Sequence, residues 1–181
     1  MTETQGRISI VVPVYLGAET LAPLVERLVT VFENLGQELE ILLVNGEDHY
    51  AAPGEMDWLA SNEGRLDDVV LALNIDGAGY KRGKSAYSTY NLDSELEDHI
   101  AATFSGTQTL IPGPDFYQSD HAIFAMQGRP AMAITTELVD EMLETLFHAP
   151  TDTRDQLDAG LLVDISDAIT KLVTTWPGSL S

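Results

Sequence analysis

No cysteine occurs in the 181 residues, which excludes disulfides, thiolate metal sites and cysteine nucleophiles. Basic residues are scarce: nine Lys and Arg stand against 29 Asp and Glu, a formal net charge of −20. A nucleic-acid partner needs the opposite sign, so that class is excluded too. No apolar run is long enough to cross a bilayer. The longest, residues 8–16, is broken by Ser9 and Pro13 and has neither a basic leader nor a cleavage site. It reads as a buried strand, not a signal peptide. No repeat, low-complexity tract or Gly-x-Ser-x-Gly nucleophile motif is present. These absences point to a cytoplasmic protein with no membrane partner.

What is present suffices for a core. Hydrophobic residues make up 44% of the chain, and this length favours a single domain, residues 1–181. The acids are dispersed, not gathered into a tail. Two readings of that surface stand. One is adaptation to high salt, where screening shortens self-repulsion, and only three lysines, Lys81, Lys84 and Lys171, favour it. The other is an ordinary acidic protein.

Residues 8–15 read as a buried parallel strand. Thr20 is a candidate cap for the helix that follows, with Pro23 in its first turn. Leu21, Leu24, Val25, Leu28, Val31, Phe32 and Leu35 recur at helical spacing, and Gly36 is a natural stop. Residues 40–45 form a second strand, completing a βαβ unit. Further strands are expected at 69–75, around 109–111 and at 130–135. Helices are expected around Leu92–Leu96–Ile100, over 138–146, and from Leu157 to Trp176 with Asp158 as cap. The fold class is therefore α/β: a mixed, mostly parallel sheet with helices on both faces.

Ligands of open α/β sheets sit at the carboxyl ends of strands. Polar residues stand at such places: Glu47 and Asp48 after the second strand, Asp76 after residue 75, and Ser119-Asp120-His121 before strand 130–135. His148 lies in the loop after a helix. Carboxylates with imidazole and no thiol suit a hydrolytic zinc site, although an aspartate ending a strand is as often a turn former. Tyr117 is a candidate donor to a tetrahedral intermediate, or loop packing. Lys81-Arg82-Gly83-Lys84, the only basic cluster, reads better as neutralising nearby acids than as receiving a substrate carboxylate. His99 reads as solvent-facing.

Four segments occur in order: Asn-Gly-Glu47-Asp48-His-Tyr-Ala-Ala-Pro-Gly-Glu, Leu-Asn-Ile-Asp76-Gly, Ser-Asp120-His121 with Gly-Arg-Pro-Ala after it, and His148-Ala-Pro-Thr-Asp152-Thr153. Residues 45–175 thereby resemble the carboxyl-terminal half of the co-catalytic zinc aminopeptidases, peptidase family 28. The resemblance implies a three-layer αβα fold, zinc, and a peptide or amino-acyl substrate. It implies that Glu47 is the general base, that Asp48 and His148 hold one zinc, and that Asp76 holds the other. Asp152 would orient ligands from outside the metal shell, with Asp120, His121 and Tyr117 beside the cleft.

The sequence also departs from that family. It has no His-x-Asp motif, its first histidine is His49, and the segment carrying the bridging aspartate is absent. Gly17-Ala18-Glu19 offers only Glu19 there. One weak zinc site and impaired hydrolysis are therefore expected, and a non-catalytic fold fragment or binding module is the competing reading. Residues 7–45 resemble instead the opening of an inverting family-2 glycosyltransferase, up to Asn45, where that family's Asp-Asp-Gly-Ser does not follow. This suggests a splice near residue 45, with 1–45 and 46–181 of different kinds, and nucleotide-sugar binding as a third reading.

Overall fold

The computed structural model describes residues 8–14, 18–36, 38–45 and 53–176. The chain forms two compact units, divided between Arg65 and Leu66. The junction read at Asn45 thus falls inside the first.

In the first unit, β1 (Ile8–Val14) and β2 (Leu39–Asn45) pair in parallel, from Ile8 opposite Leu39 to Val14 opposite Asn45. Helix α1 (Ala18–Leu35) connects them, completing the expected βαβ unit. The helix begins two residues before Thr20, so Thr20 lies within it and is not its cap. Pro23 sits in its second turn, where the ring removes one intrahelical donor. A further helix, α2 (Pro53–Ser61), is not marked by any strong apolar stripe in the sequence. Both oxygens of Glu40 accept from Arg65 at 2.9 Å, and Ser9 donates to the same carboxylate at 2.6 Å.

The second unit carries the larger sheet: β3 (Ala72–Ile75), β4 (Ser85–Tyr90), β5 (Leu110–Pro112) and β6 (Ala131–Thr136), in the order β3-β6-β4-β5. β3 runs parallel to β6 and β5 parallel to β4, whereas β4 and β6 are antiparallel. The sheet is mixed, as expected, but β4 is not foreseen by the sequence. Its residues, Ser-Ala-Tyr-Ser-Thr-Tyr, lack the aliphatic β-branched run that marks a buried strand.

All six residues of β6 are buried, and their alternation builds the two faces. Met132 and Ile134 pack with Leu96, Ile100 and Phe104 of α3 (Ser94–Phe104) and with Ile165, Ala168 and Leu172 of α6 (Ala159–Thr174). Ala131 and Ala133 turn the other way, against Tyr90, Phe116 and Val139, with Phe124 and Ala125 of the short α4 (Ala122–Met126) and Phe147 packed around them. Val139 opens α5 (Val139–Thr145). This unit is therefore a sheet between two helical layers.

Two helices of this unit start on aspartate caps, of which Asp158 was expected. Asp93 accepts from the Leu96 amide at 2.8 Å to start α3, and Asp158 accepts from the Gly160 amide at 2.8 Å to start α6. β3 begins at Ala72, later than the predicted residue 69, because residues 63–68 form a 3-10 helix ahead of it. His99 is half-buried and not fully solvent-facing, its Nε2 lying 3.4 Å from Thr175 Oγ1.

Candidate functional site

Glu47 and Asp48 lie outside the described residues. Glu19 is exposed on the first turn of α1, in the first unit. The other candidates belong to the second unit.

Asp76 leaves the carboxyl end of β3, its backbone N–H donating to the Ile134 carbonyl of β6 at 3.0 Å. Its Oδ2 accepts from Ser119 Oγ at 2.7 Å, and Asn74 Nδ2 donates to that same Oγ at 2.7 Å. Asn74 and Asp76 are two apart on an extended strand, so their side chains leave the same face. Asn74 Nδ2 also lies 3.5 Å from His121 Nδ1. The Ser119-Asp120-His121 segment is thus drawn to the end of β3 by two of its three side chains.

His121 is 1% exposed. Its ring lies near those of Tyr90 and Phe116, with centroids 5.1 and 6.0 Å away and planes tilted by 31° and 34°. Burial pushes its pKa down, opposed by the Phe116 backbone and the Asp76 carboxylate. Its Nε2 is buried without a hydrogen-bond partner of good geometry. Asp120 is half-buried. Tyr117 is 56% exposed and packs its ring on Tyr90, centroids 4.7 Å apart. Desolvation, then the Asp115 charge and Tyr90, raise its phenol pKa and keep it protonated.

His148 follows α5 in the left-handed region, at φ 57°, and is exposed. Its neighbour in sequence, Phe147, meets Gly77, the residue after Asp76. A Cβ on Gly77 would stand 2.8 Å from Phe147 Cζ and 3.1 Å from Thr135 Oγ1, and Gly77 itself has φ 67°. The turns carrying Asp76 and His148 are therefore packed together one residue from each. Asp152 closes the His148 turn through its backbone, donating to the Ala149 carbonyl at 3.0 Å, and its carboxylate is exposed.

The basic cluster is occupied with acids, as expected. Arg82 pairs with Glu141 at 2.6 Å, and Lys81 lies 3.9 Å from an Asp155 carboxylate oxygen and donates to the Asp155 carbonyl.

The chemistry of Asp76 fits a metal ligand: one oxygen is held by a neutral hydroxyl, and no described residue hydrogen-bonds the other. Among the described residues, however, no three His, Asp or Glu side chains stand together as a group that could hold a metal. Asn74 and Phe147 are the residues that sequence reasoning overlooked. Their signals were positional: two before Asp76 on a strand, and one before His148.

A mixed sheet covered on both faces, with carboxylate and imidazole gathered near one strand end, defines a metallopeptidase-like α/β fold. The family model for peptidase family M28 matches residues 16–173, and the chain belongs to that family. The match takes in α1 and β2, the greater part of the segment that resembles a glycosyltransferase. An aminopeptidase from Aneurinibacillus sp. strain AM-1 has a similar solved structure, with TM-score 0.66 and 23% identity over 99% of this chain. The chain spans 46% of that protein's length. No curated protein sequence matches it significantly. Among the described residues no helix is long and apolar enough to cross a membrane.

Proposed function

We propose that this chain is an aminopeptidase-type metallopeptidase with an impaired site, holding at most one weakly bound zinc. Asp48 and His148 would hold it, Asp76 is the carboxylate left from the second position, and Glu47 is the general base. When bound, such a metal activates water for attack on a peptide carbonyl. The observation that carries the reading is the packing of the Gly77 turn on Phe147, which brings the loops of Asp76 and His148 together in a member of this family. Two protein ligands are fewer than the three a catalytic zinc ordinarily keeps. That accounts for weak binding and for poor fixation of the attacking water.

Zinc calorimetry on the wild type and on His148→Ala, with an amino-acyl anilide assay, tests it. One weak site lost in His148→Ala is expected, with turnover absent or slight. Tight binding of two zincs, or brisk hydrolysis, would refute the impaired site. A second reading, a non-catalytic binding module, is favoured by the absence of a His-x-Asp motif from the 181 residues. Complete absence of zinc binding by the wild type would decide for it.

A further inference from the structure

The chain that leads from β5 to α4 carries Tyr117, Ser119, Asp120 and His121, and it is fastened along its length. The Gly113 amide donates to the Tyr87 carbonyl at 2.8 Å, the Phe116 amide to Tyr90 Oη at 2.6 Å, and Ser119 Oγ to Asp76 Oδ2 at 2.7 Å. Between the last two of these stand only Tyr117 and Gln118, both exposed. The middle fastening depends on a side chain, and that side chain is itself fixed. Tyr90 is 6% exposed, and its Oη lies 2.8 Å from Ser88 Oγ, two residues back on β4. Whichever of these hydroxyls donates to the other, Oη keeps a lone pair for the Phe116 amide. The Phe116 side chain is buried with Tyr90, Ala131, Ala133 and Val139, but apolar packing has no direction. A hydrogen bond has one. This bond sets the plane of the Asp115–Phe116 peptide, and hence the direction in which the chain leaves towards Tyr117. The Tyr117 ring then comes down on the Tyr90 ring, centroids 4.7 Å apart. Without the hydroxyl, the free span would run from Pro114 to Gln118.

We infer that Tyr90 is a positioning residue for Tyr117: its hydroxyl fixes the peptide that enters the two-residue bridge which Ser119 ties to Asp76. The phenol of Tyr117 is thereby presented at a set place, next in the chain to the residues that meet Asp76. Its use as a donor to a tetrahedral intermediate rests on the metallopeptidase reading; the clamp does not.

Tyr90→Phe keeps the ring and removes only the oxygen. The buried Phe116 amide then lacks its acceptor and must turn towards water, carrying Tyr117 with it. Amide hydrogen exchange and aromatic proton spectra of wild type and variant read this. Exchange at Phe116 is expected to quicken by about tenfold or more beyond any change at Gly113 and Asp76. Those two amides bond to backbone carbonyls and report a general loss of stability. The Tyr117 ring protons, displaced in the wild type by the ring current of Tyr90, are expected to move to the positions of a free tyrosine, although the ring at position 90 remains. Tyr117 resonances that stay in place, or exchange that rises equally at all three amides, would make Tyr90 a packing residue only and overturn the inference. Should the variant not fold, the wild type decides: a protected Phe116 amide supports the clamp, and one that exchanges as fast as that of Gln118 overturns it. A wild type that binds no zinc would sink the metallopeptidase reading and leave these spectra to judge the positioning.

Discussion

Replacing Gly77 by alanine tests the packing that brings the two candidate loops together. Two separate costs are expected. At φ 67° a side chain meets its own backbone, which costs about 1–2 kcal/mol. The new Cβ would also stand 2.8 Å from Phe147 Cζ and 3.3 Å from Cε1. Phe147 packs on the clusters around Ala133 and around Met142, so its ring has little freedom to retreat. Overpacking of this kind costs about 1–3 kcal/mol. Loss of glycine's freedom in the unfolded chain returns about 0.4–1 kcal/mol. The net loss is about 2–3 kcal/mol, a fall in Tm of about 5–10 °C for a chain of this size. Circular-dichroism melts measure it, with Gly106→Ala as control, since a Cβ there meets nothing within 4 Å. In a Phe147→Leu background the steric part should vanish and only the backbone part, about 1–2 kcal/mol, remain. A Gly77→Ala chain that melts within about 1 °C of wild type would show that the turn and Phe147 are not in contact.

Three further outcomes are expected. Tyr90→Phe removes the hydroxyl that accepts from the buried Phe116 amide at 2.6 Å and pairs with Ser88 at 2.8 Å; urea unfolding should show a loss of about 1–3 kcal/mol, and a neutral result would refute the bonds. With a net charge of −20, the melting midpoint should rise from low salt to molar potassium chloride as repulsion is screened, and a fall would count against the charge argument. His121 has a folded-state pKa below its unfolded value of about 6.5. The unfolded chain therefore takes up a proton first, and the contribution of His121 is complete above that value and lost as pH falls towards the folded pKa. Urea midpoints of wild type and His121→Asn should accordingly converge as pH drops from 7.5 to 5.5; a constant gap would exclude the shift.

The elements that sequence made legible are those whose burial is aliphatic. The strand Ala131–Thr136 and the closing helix Ala159–Thr174 are marked by runs and stripes that water disfavours, and Asp158 caps the latter as its position suggests. The strand Ser85–Tyr90 was not legible, although it lies between β6 and β5. Five of its six side chains carry hydroxyls, and Ser85, Ser88 and Tyr90 are buried all the same. Tyr90 gains partners in Ser88 and the Phe116 amide, the latter supplied by a loop 26 residues away. Hydropathy reads a residue by itself, whereas the cost of burying a hydroxyl depends on a partner that only the fold supplies.

The candidate site divides along the same line. Asp76, Asp120, His121 and His148 stand out as candidates by motif, because ionisable groups after strands and in loops contrast with apolar surroundings. Asn74 does not, since a neutral amide inside a short strand looks like weak strand sequence. Yet the period of two places Asn74 on the face of Asp76, and a polar residue there needs a polar partner once it is half-buried. Reading backwards from an aspartate at a strand end by steps of two would have selected Asn74, and only the chain's return through Ser119 and His121 shows what it bonds. Asp152 shows a different local role. It lies four residues after His148 and looks like a partner, but its backbone closes the turn and leaves the carboxylate exposed. The carboxylate of Asp76 is met instead by Ser119, 43 residues away, whose hydroxyl also accepts from Asn74.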